Sequence, residues 1–337
     1  MEFDLAVEPV NTNQKKTLLV KEIFYKYGIS LVFVGMVIYF TMMNPRFLSI
    51  ENLRLILSQA APMGIATIGV TFVLVIAGID LSLAQNMFLT AMVVGATMEG
   101  MQSVGLLGSI PGYFILFAIA IISGGVVGAF NGIIIAKYKL VPFIVTLATT
   151  GICRSLGLVL SGSKGFNVDQ LSPISNGRIL GIPNVVIIWI IILILFDYIL
   201  RRTTFGLRLM ALGNDVNAAQ RIGINVNLHT ILVYIICGAL SGLGGILEAG
   251  QVQSVAINFA SGHEFLVISA AVLGGISLFG GKGSVFPGAL IGILLVTTIF
   301  NGMSIMNASP YSYTIVRGVV IFLAVMLDSV NYKGELR

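Results

Sequence analysis

The chain contains little charge and few of the side chains on which enzyme chemistry depends. Charged residues make up 10% of its 337 residues, and hydrophobic residues make up 57%. Soluble domains carry roughly 25% charged residues, so the composition excludes a water-soluble domain. The alternation of apolar and polar residues that a transmembrane β-barrel needs is also absent. With two histidines and two cysteines, the chain offers little for metal or nucleophilic catalysis.

The motifs of metal and nucleotide binding are incomplete. His263-Glu264 lacks the second histidine four residues on that a zinc-binding helix needs. The segment Gly280-Gly281-Lys282-Gly283 is similar to a phosphate loop, but Ile276 stands at the position of the first glycine. We interpret this segment as a tight turn between two membrane segments. We therefore expect no catalytic residue, no metal and no cofactor in this chain.

Long apolar runs recur along the whole chain, which indicates helices that cross a bilayer. We predict an all-α polytopic membrane protein with short re-entrant or broken segments. The second and third spans are separated only by Gly78-Ile79-Asp80, where we expect a break. The prediction is about ten spans, at roughly 27–43, 53–77, 81–99, 113–136, 141–161, 183–200, 229–249, 264–280, 285–302 and 313–328.

The positions of the cationic residues predict the orientation, because positive loops stay in the cytoplasm. With ten spans, residues 1–26 form a cytoplasmic segment, 27–328 the transmembrane domain and 329–337 a cytoplasmic tail. Arg46 and Arg54 lie on the outer side, against this trend. The net charge of +5 comes from residues at the ends of spans, so we expect contact with lipid and none with nucleic acid.

Glycines at a spacing of four predict closely packed helices, because they let a neighbouring backbone approach. Both ordinary membrane packing and a transporter core use such ladders. The glycine ladders in this chain are Gly124, Gly128 and Gly132, then Gly238 with Gly242, and Gly288 with Gly292. A second pattern pairs Ala77-Gly78-Ile79-Asp80-Leu81 with Gly274-Gly275-Ile276-Ser277-Leu278, which hints at an internal duplication of the kind found in transporters.

Asp80 and Arg317 are the ionisable residues that we place at membrane depth. A charge there indicates a functional site or a buried pair. Asp80 precedes Leu81-Ser82-Leu83 and suits a helix N-cap, and it is also a possible transport residue. Arg317 has two readings as well, pairing with a carboxylate or reaching a helix C-terminus.

The long basic loop at residues 201–225 contains a short helical pattern. Asn214-Asp215 offers an N-cap and Gly223 a C-terminal stop, so we predict a helix of two to three turns. We expect Gly213 to act as a hinge in front of it. From the residues alone, this helix either docks into a soluble partner or lies on lipid headgroups.

The order and spacing of several motifs resemble the ribose-type permeases of ATP-binding-cassette importers. The motifs are Gly78-Ile79-Asp80-Leu81-Ser82, Asn131-Gly132, Pro142-Phe143-Ile144-Val145-Thr146-Leu147, Thr204-Phe205-Gly206-Leu207-Arg208, Ala211-Leu212-Gly213-Asn214, Ala218-Ala219, Gly223-Ile224, the segment 271–283, and Arg317-Gly318. The resemblance departs at Leu83-Ala84-Gln85, where the family usually has Val-Gly-Ser, and in the outer loop at 161–164.

The resemblance implies a ten-helix subunit of the bacterial inner membrane that pairs with a second copy or a paralogue. It implies an ATP-binding protein, which holds ATP and Mg, and a periplasmic or lipoprotein sugar-binding protein. The implied function is ATP-driven import of a monosaccharide or small polyol. The alternative is a secondary transporter or channel that works without ATP.

The resemblance also implies roles for individual residues. The loop that couples to the ATPase comprises Gly206, Arg208, Gly213, Asn214, Ala218, Ala219 and Gly223. Polar or aromatic residues within the spans are candidates for the sugar path, and helix-to-helix hydrogen bonding is the competing role for each. These candidates are Asp80, Asn86, Asn131, Phe143 and Thr146.

Overall fold

The structure is a computed structural model that describes residues 31–103 and 105–335. The predicted N-terminal segment 1–26 and the start of the first predicted span lie outside the described residues. The helices are α1 (Leu31–Met43), α2 (Ile50–Val75), α3 (Leu83–Ser103), α4 (Ile110–Tyr138), α5 (Pro142–Leu160), α6 (Ser172–Ser175), α7 (Asn184–Arg202), α8 (Thr204–Asn214), α9 (Val216–Arg221), α10 (Val226–Val252), α11 (His263–Leu273), α12 (Leu290–Ile305) and α13 (Pro310–Glu335).

Short elements join these helices. Turns of 3₁₀-helix lie at Pro45–Leu48 and Asp169–Leu171, and a π-helical turn at Val285–Ala289 leads into α12. Strands β1 (Phe166–Asn167) and β4 (Ser254–Val255) pair antiparallel, as do β2 (Arg178–Ile179) and β3 (Ile182–Pro183).

The prediction of an all-α polytopic membrane protein is confirmed. Among the described residues, six helices are long and apolar enough to cross a bilayer: α2, α4, α5, α7, α10 and the helix at Val285–Ile305. The apolar helices Leu31–Met43, His263–Leu273 and Tyr311–Met326 are shorter. The count of about ten spans therefore stays a prediction.

The glycine ladders pack as the sequence predicts. A Cβ built on Gly124 would collide with the Gly238 carbonyl, and one on Gly128 with the Tyr234 carbonyl. Likewise, a Cβ on Gly292 would collide with the Ala270 carbonyl. Because no side chain separates them, α4 and α10 pack backbone to backbone, and α10 with α2 forms the buried centre of the bundle.

Two helix breaks lie at the end of the bundle that carries α8 and α9, here called the α9 end. Break 1 spans residues 76–82 between α2 and α3, and break 2 spans residues 274–284 between α11 and the π-helical turn. The break predicted at Gly78-Ile79-Asp80 is confirmed. The eighth predicted span ends early, at Leu273, because the next residues turn through Gly275 with a φ of 88°.

Candidate coupling surface and membrane polar network

Local capping divides the basic loop into two helices. Thr203 Oγ1 accepts a hydrogen bond from the Gly206 N–H at 3.3 Å and begins α8. Asp215 Oδ1 accepts from the Asn217 and Ala218 N–H groups at 2.8 and 3.1 Å and begins α9. Gly223, with a φ of 84°, ends α9 in the left-handed conformation that glycine adopts without strain.

The predicted N-cap and C-terminal stop of this helix are confirmed, at Asp215 and Gly223, but its predicted length of two to three turns was wrong. Because α8 runs through Asn214, the helix capped by Asp215 has six residues, which is less than two turns. Gly213 is a residue of α8, and a Cβ there would collide with the Val75 carbonyl. Gly213 therefore permits close packing at this position, where we had expected a hinge.

Gly213 and Asn214 join α8 to both helix breaks. The Gly281 N–H of break 2 donates to the Val75 carbonyl at the end of α2, at 2.9 Å. A Cβ on Gly280 would lie 2.8 Å from the Gly213 carbonyl oxygen, and one on Gly281 would collide with Asn214 Oδ1. A displacement of α8 would thus press directly on both breaks. We call the contact among Val75, Gly213, Asn214, Gly280 and Gly281 the glycine junction.

The rest of α8 is fixed to the bundle. Leu209 and Leu212 are buried, and the Phe205 ring stacks on the His229 ring of α10 with centroids 5.7 Å apart. Gly206 is buried, and a Cβ there would collide with the Leu200 carbonyl at the end of α7.

The outward side of α9 forms an open surface. Ala218 is exposed, whereas its neighbour Ala219 is 2% exposed and packs into the core. Ile222 is 74% exposed, and Arg208 and Arg221 are also exposed. A shallow groove of about 380 Å³ lies beside α9. Its lining residues are Gln220, Gly223, Ile224, Asn225, Val226 and Asn227.

Break 1 carries a buried chain of hydrogen bonds. Asp80 Oδ1 accepts from the Ser82 N–H at 2.9 Å and from Ser82 Oγ at 2.6 Å. Asn131 Nδ2 donates to Ser82 Oγ at 2.8 Å, and Thr149 Oγ1 donates to Asn131 Oδ1 at 2.6 Å. Asp80 thus closes a turn just before α3, but Ser82 holds the N-cap position of α3, so the N-cap role predicted for Asp80 is not observed.

Hydroxyl groups satisfy the free carbonyls of break 1. Thr146 and Tyr234 donate to the Ile79 carbonyl at 3.4 and 3.2 Å, and Thr150 donates to the Leu81 carbonyl at 3.1 Å. Non-helical backbone is tolerated at membrane depth only where the protein supplies such partners. These hydroxyls therefore explain why the break can exist inside the bundle.

Four of the five predicted path residues are buried in this arrangement. Asp80, Asn86, Asn131 and Thr146 are each at most 1% exposed. Asn86 Nδ2 lies 3.2 Å from the carbonyls of Gly124 and Gly238, so it joins α3 to the α4–α10 contact. Phe143 is 46% exposed. A path role for these residues stays a prediction.

The sequence reasoning missed a charged residue at membrane depth, Arg154. It lies inside α5, which is long and apolar enough to span a bilayer, and it is partly exposed. Its Nη1 lies 3.5 Å from Gln85 Oε1, and its Cζ lies 4.6 Å from the centroid of the Phe88 ring. The signal was present in the sequence as a lone arginine within an apolar run.

Arg317 lies in a second group of polar side chains, partly buried and near the start of α11. His263 Nδ1 is 3.4 Å from Glu248 Oε2. A Cβ on Gly262 would collide with Arg317 Nη1, so the guanidinium covers the turn before α11. Within the described residues, Arg317 forms no ion pair shorter than 4 Å, so neither predicted role is observed for it.

Comparisons with known proteins agree with this architecture. Residues 52–325 match the family described as the permease component of branched-chain amino acid transport systems. The chain belongs to this permease family. The ribose import permease of Haemophilus influenzae is 36% identical over 300 residues, which cover 87% of this chain and 89% of that protein. No solved structure matches the chain.

Two further relatives cover almost the whole chain. The ribose import permease of Bacillus subtilis is 33% identical over 96% of this chain and 98% of its own length. The D-allose transport permease of Escherichia coli is 32% identical over 91% and 93%. The chain is a multi-pass inner-membrane permease subunit of an ATP-binding-cassette importer, and it has no catalytic role itself.

Proposed function

We propose that the protein carries a monosaccharide or a related small polyol across the inner membrane, with ATP hydrolysed by a partner. The single observation that carries the proposal is the α9 surface, which is capped at both ends, exposed on one side and separated by one residue from α8, which contacts both helix breaks. The match to ribose and allose permeases over most of their length supports a monosaccharide as substrate.

The α9 surface fits the groove of a soluble ATPase. Its centre is apolar, with Ala218 and Ile222 exposed, and Arg208 and Arg221 add positive charge around it. An apolar centre with a charged rim is the usual composition of a docking site between proteins. ATP and Mg would bind to that ATPase, which agrees with the absence of a phosphate loop in this sequence.

The glycine junction gives the docking surface its route to the membrane. When the ATPase halves close, α9 and α8 would move together, because only Asp215 separates them and its N–H donates to the Ala211 carbonyl of α8. The movement would reach break 1 through Val75 and break 2 through Gly281. Two states that differ in this contact are what a coupled transporter requires.

The remaining partners and the topology belong to the same proposal. A second copy of the chain or a paralogue would complete the path, and a periplasmic or lipoprotein binding protein would deliver the sugar at the far end. Residues 1–26 and 329–337 would face the cytoplasm beside α9, with residues 27–328 crossing the membrane about ten times.

The neighbouring residues Ala218 and Ala219 test the docking surface. Ala218→Trp should leave the permease folded and lower ATP-driven uptake in reconstituted vesicles by at least about tenfold. The bulky ring would prevent close contact at the centre of the interface, where most of the binding energy lies. Tyr138→Trp adds bulk at an exposed site on the same end of the bundle and should leave uptake unchanged. Native uptake by Ala218→Trp would contradict the proposal.

The rival function, a transporter or channel that needs no ATP, makes a different prediction. The purified chain alone would then move sugar through vesicles, and no ATPase would copurify with it. Our proposal predicts no flux through the chain alone, and uptake only when the ATPase, ATP and the loaded binding protein are present.

A further inference from the structure

Arg154 is a charged side chain on an outer face of a helix that should lie within the bilayer. It is the thirteenth residue of α5, about 18 Å along the helix from Pro142 at 1.5 Å per residue. It is partly exposed, and no carboxylate of the described residues forms an ion pair with it. An arginine facing lipid is costly, so water or another polar surface on this face of α5 would stabilise Arg154.

The guanidinium is held in a fixed position. It lies over the Phe88 ring, and Gly157 makes room for that ring, since a Cβ on Gly157 would lie 2.5 Å from Phe88 Cε1. Gln85 Oε1 accepts one N–H at 3.5 Å. The outer edge of the guanidinium keeps donors in one plane, and such a fork suits two neighbouring oxygen acceptors.

Between Arg154 and the start of α5, the same face of the helix has open space and an exposed aromatic ring. At about 100° per residue, Gly151 and Phe143 both project to the same side as Arg154. Gly151 has no heavy atom within 4 Å of where its Cβ would be, and Phe143 is 46% exposed. Thr150, one turn below Arg154, donates to the Leu81 carbonyl of break 1, so this face runs beside that break.

We propose that Arg154 is a sugar-contacting residue of the translocation path, where its guanidinium donates to two adjacent hydroxyl oxygens of the passing monosaccharide. Gln85 and Phe88 position the guanidinium, and Phe143 provides an apolar ring for the sugar lower on the same face. This inference rests on the proposed function, because it presumes that a sugar passes through the protein.

Gln85→Glu is the most informative variant. It keeps the size of the side chain and places a carboxylate 3.5 Å from Arg154, so the guanidinium gains a partner and loses its availability to substrate. Uptake of D-ribose, D-allose and D-galactose is measured in vesicles with the full complex. The sugar that the native complex takes up fastest should enter at least about tenfold more slowly with Gln85→Glu.

Arg154→Lys should lower uptake similarly, because lysine keeps the charge but lacks the planar fork. If Arg154 only packs helices together, Gln85→Glu should leave uptake within twofold of native, and that result overturns the inference. Complex assembly and thermal stability are measured alongside, and both should stay native for Gln85→Glu.

Cysteine labelling tests the same face without any sugar. In the assembled complex, Gly151→Cys should react with a charged, water-soluble methanethiosulfonate reagent, and Ile152→Cys, also exposed in the isolated chain, should not. The native chain supplies the background, since Cys153 and Cys237 are buried. Absence of labelling at Gly151→Cys overturns the inference even if sugar uptake fails in the native complex. Failure of native uptake alone overturns the proposed function.

Discussion

In both helix breaks, free backbone groups need hydrogen-bond partners, and the two breaks obtain these partners from different parts of the molecule. In break 1, buried side chains from α5 and α10 satisfy the free backbone groups, through Thr146, Thr150 and Tyr234. In break 2, many of the hydrogen bonds join backbone groups to one another. In addition, Asp328 Oδ2 accepts the Leu278 N–H at 2.8 Å. Break 1 is thus held by side chains of α5 and α10, and break 2 by its own backbone, by the Val75 carbonyl of α2 and by Asp328 of α13.

This difference predicts how each of the two breaks would respond to a displacement of α8. Break 2 meets α8 through Gly280 and Gly281, which have φ values of 85° and 72°. These conformations suit glycine and strain other residues. A displacement of α8 would therefore press on a glycine-rich turn at break 2 and, beyond Val75, on the buried hydrogen-bond network of break 1. We expect the junction to be the most sensitive point, then break 1, then break 2.

The largest effect should follow from Gly213→Val. Its side chain would occupy the space of the Val75 carbonyl and the Gly281 N–H, and overpacking typically costs about 1–3 kcal/mol and occasionally more. We expect little assembled complex in size-exclusion chromatography and no measurable uptake. Gly318→Ala is the control, because nothing lies within 4 Å of its Cβ position. A stable, active Gly213→Val variant would remove the junction from the account.

Asp80→Ala should have the next largest effect. The Ser82 N–H and hydroxyl would lose their common acceptor in a buried site, at a cost of about 1–3 kcal/mol. Thermal unfolding in detergent measures the loss, and Asp80→Asn, which keeps an acceptor oxygen, should lose less. If Asp80→Ala unfolds at the native temperature but no longer supports uptake, Asp80 acts in transport and its structural role in the turn of break 1 is secondary.

Thr150→Val should destabilise the protein by about 1 kcal/mol, since the Leu81 carbonyl loses one hydrogen bond. Thr150→Ser keeps the hydroxyl and is the matched control. The comparison is made by the midpoint of thermal unfolding. Equal midpoints for the valine and serine variants would show that break 1 does not depend on this partner.

Ser277→Ala should have the smallest effect. Although Ser277 is buried, its Oγ accepts the Phe279 N–H at a long 3.2 Å within the same turn, so we expect a loss near the lower end of the range of about 0.5–1.5 kcal/mol for one hydrogen bond. A loss as large as that of Asp80→Ala would mean that the two breaks are equally rigid, and the proposed contrast between them would be wrong.

Much of the fold could be predicted from the sequence because helix signals are local. The long apolar runs, the glycine ladders and the break at Gly78-Ile79-Asp80 all agree with the structure. The internal duplication suggested by the sequence stays a prediction. Backbone geometry aligns Ala77, with a φ of 58°, with Gly275, where the sequence pattern paired Ala77 with Gly274.

The candidate site was harder to predict because it depends on contacts between distant segments. The sequence placed Gly213 beside a cap and so suggested a hinge, but its neighbours Val75 and Gly281 are far away along the chain. Polar residues within spans also do not reveal whether they face a path or one another, and Asn86 and Asn131 face other helices. Arg154 could have been found from its charge alone.

In our proposal, the exposed side of α9 docks the partner ATPase. The most direct measurement is cross-linking of single cysteines in the assembled complex, at Ala218 on the exposed side and at Ala219 on the buried side. The account predicts that Ala218→Cys joins to the ATPase through a short bifunctional reagent and that Ala219→Cys does not. An Ala218→Cys permease that assembles, transports and never cross-links to the ATPase would contradict it.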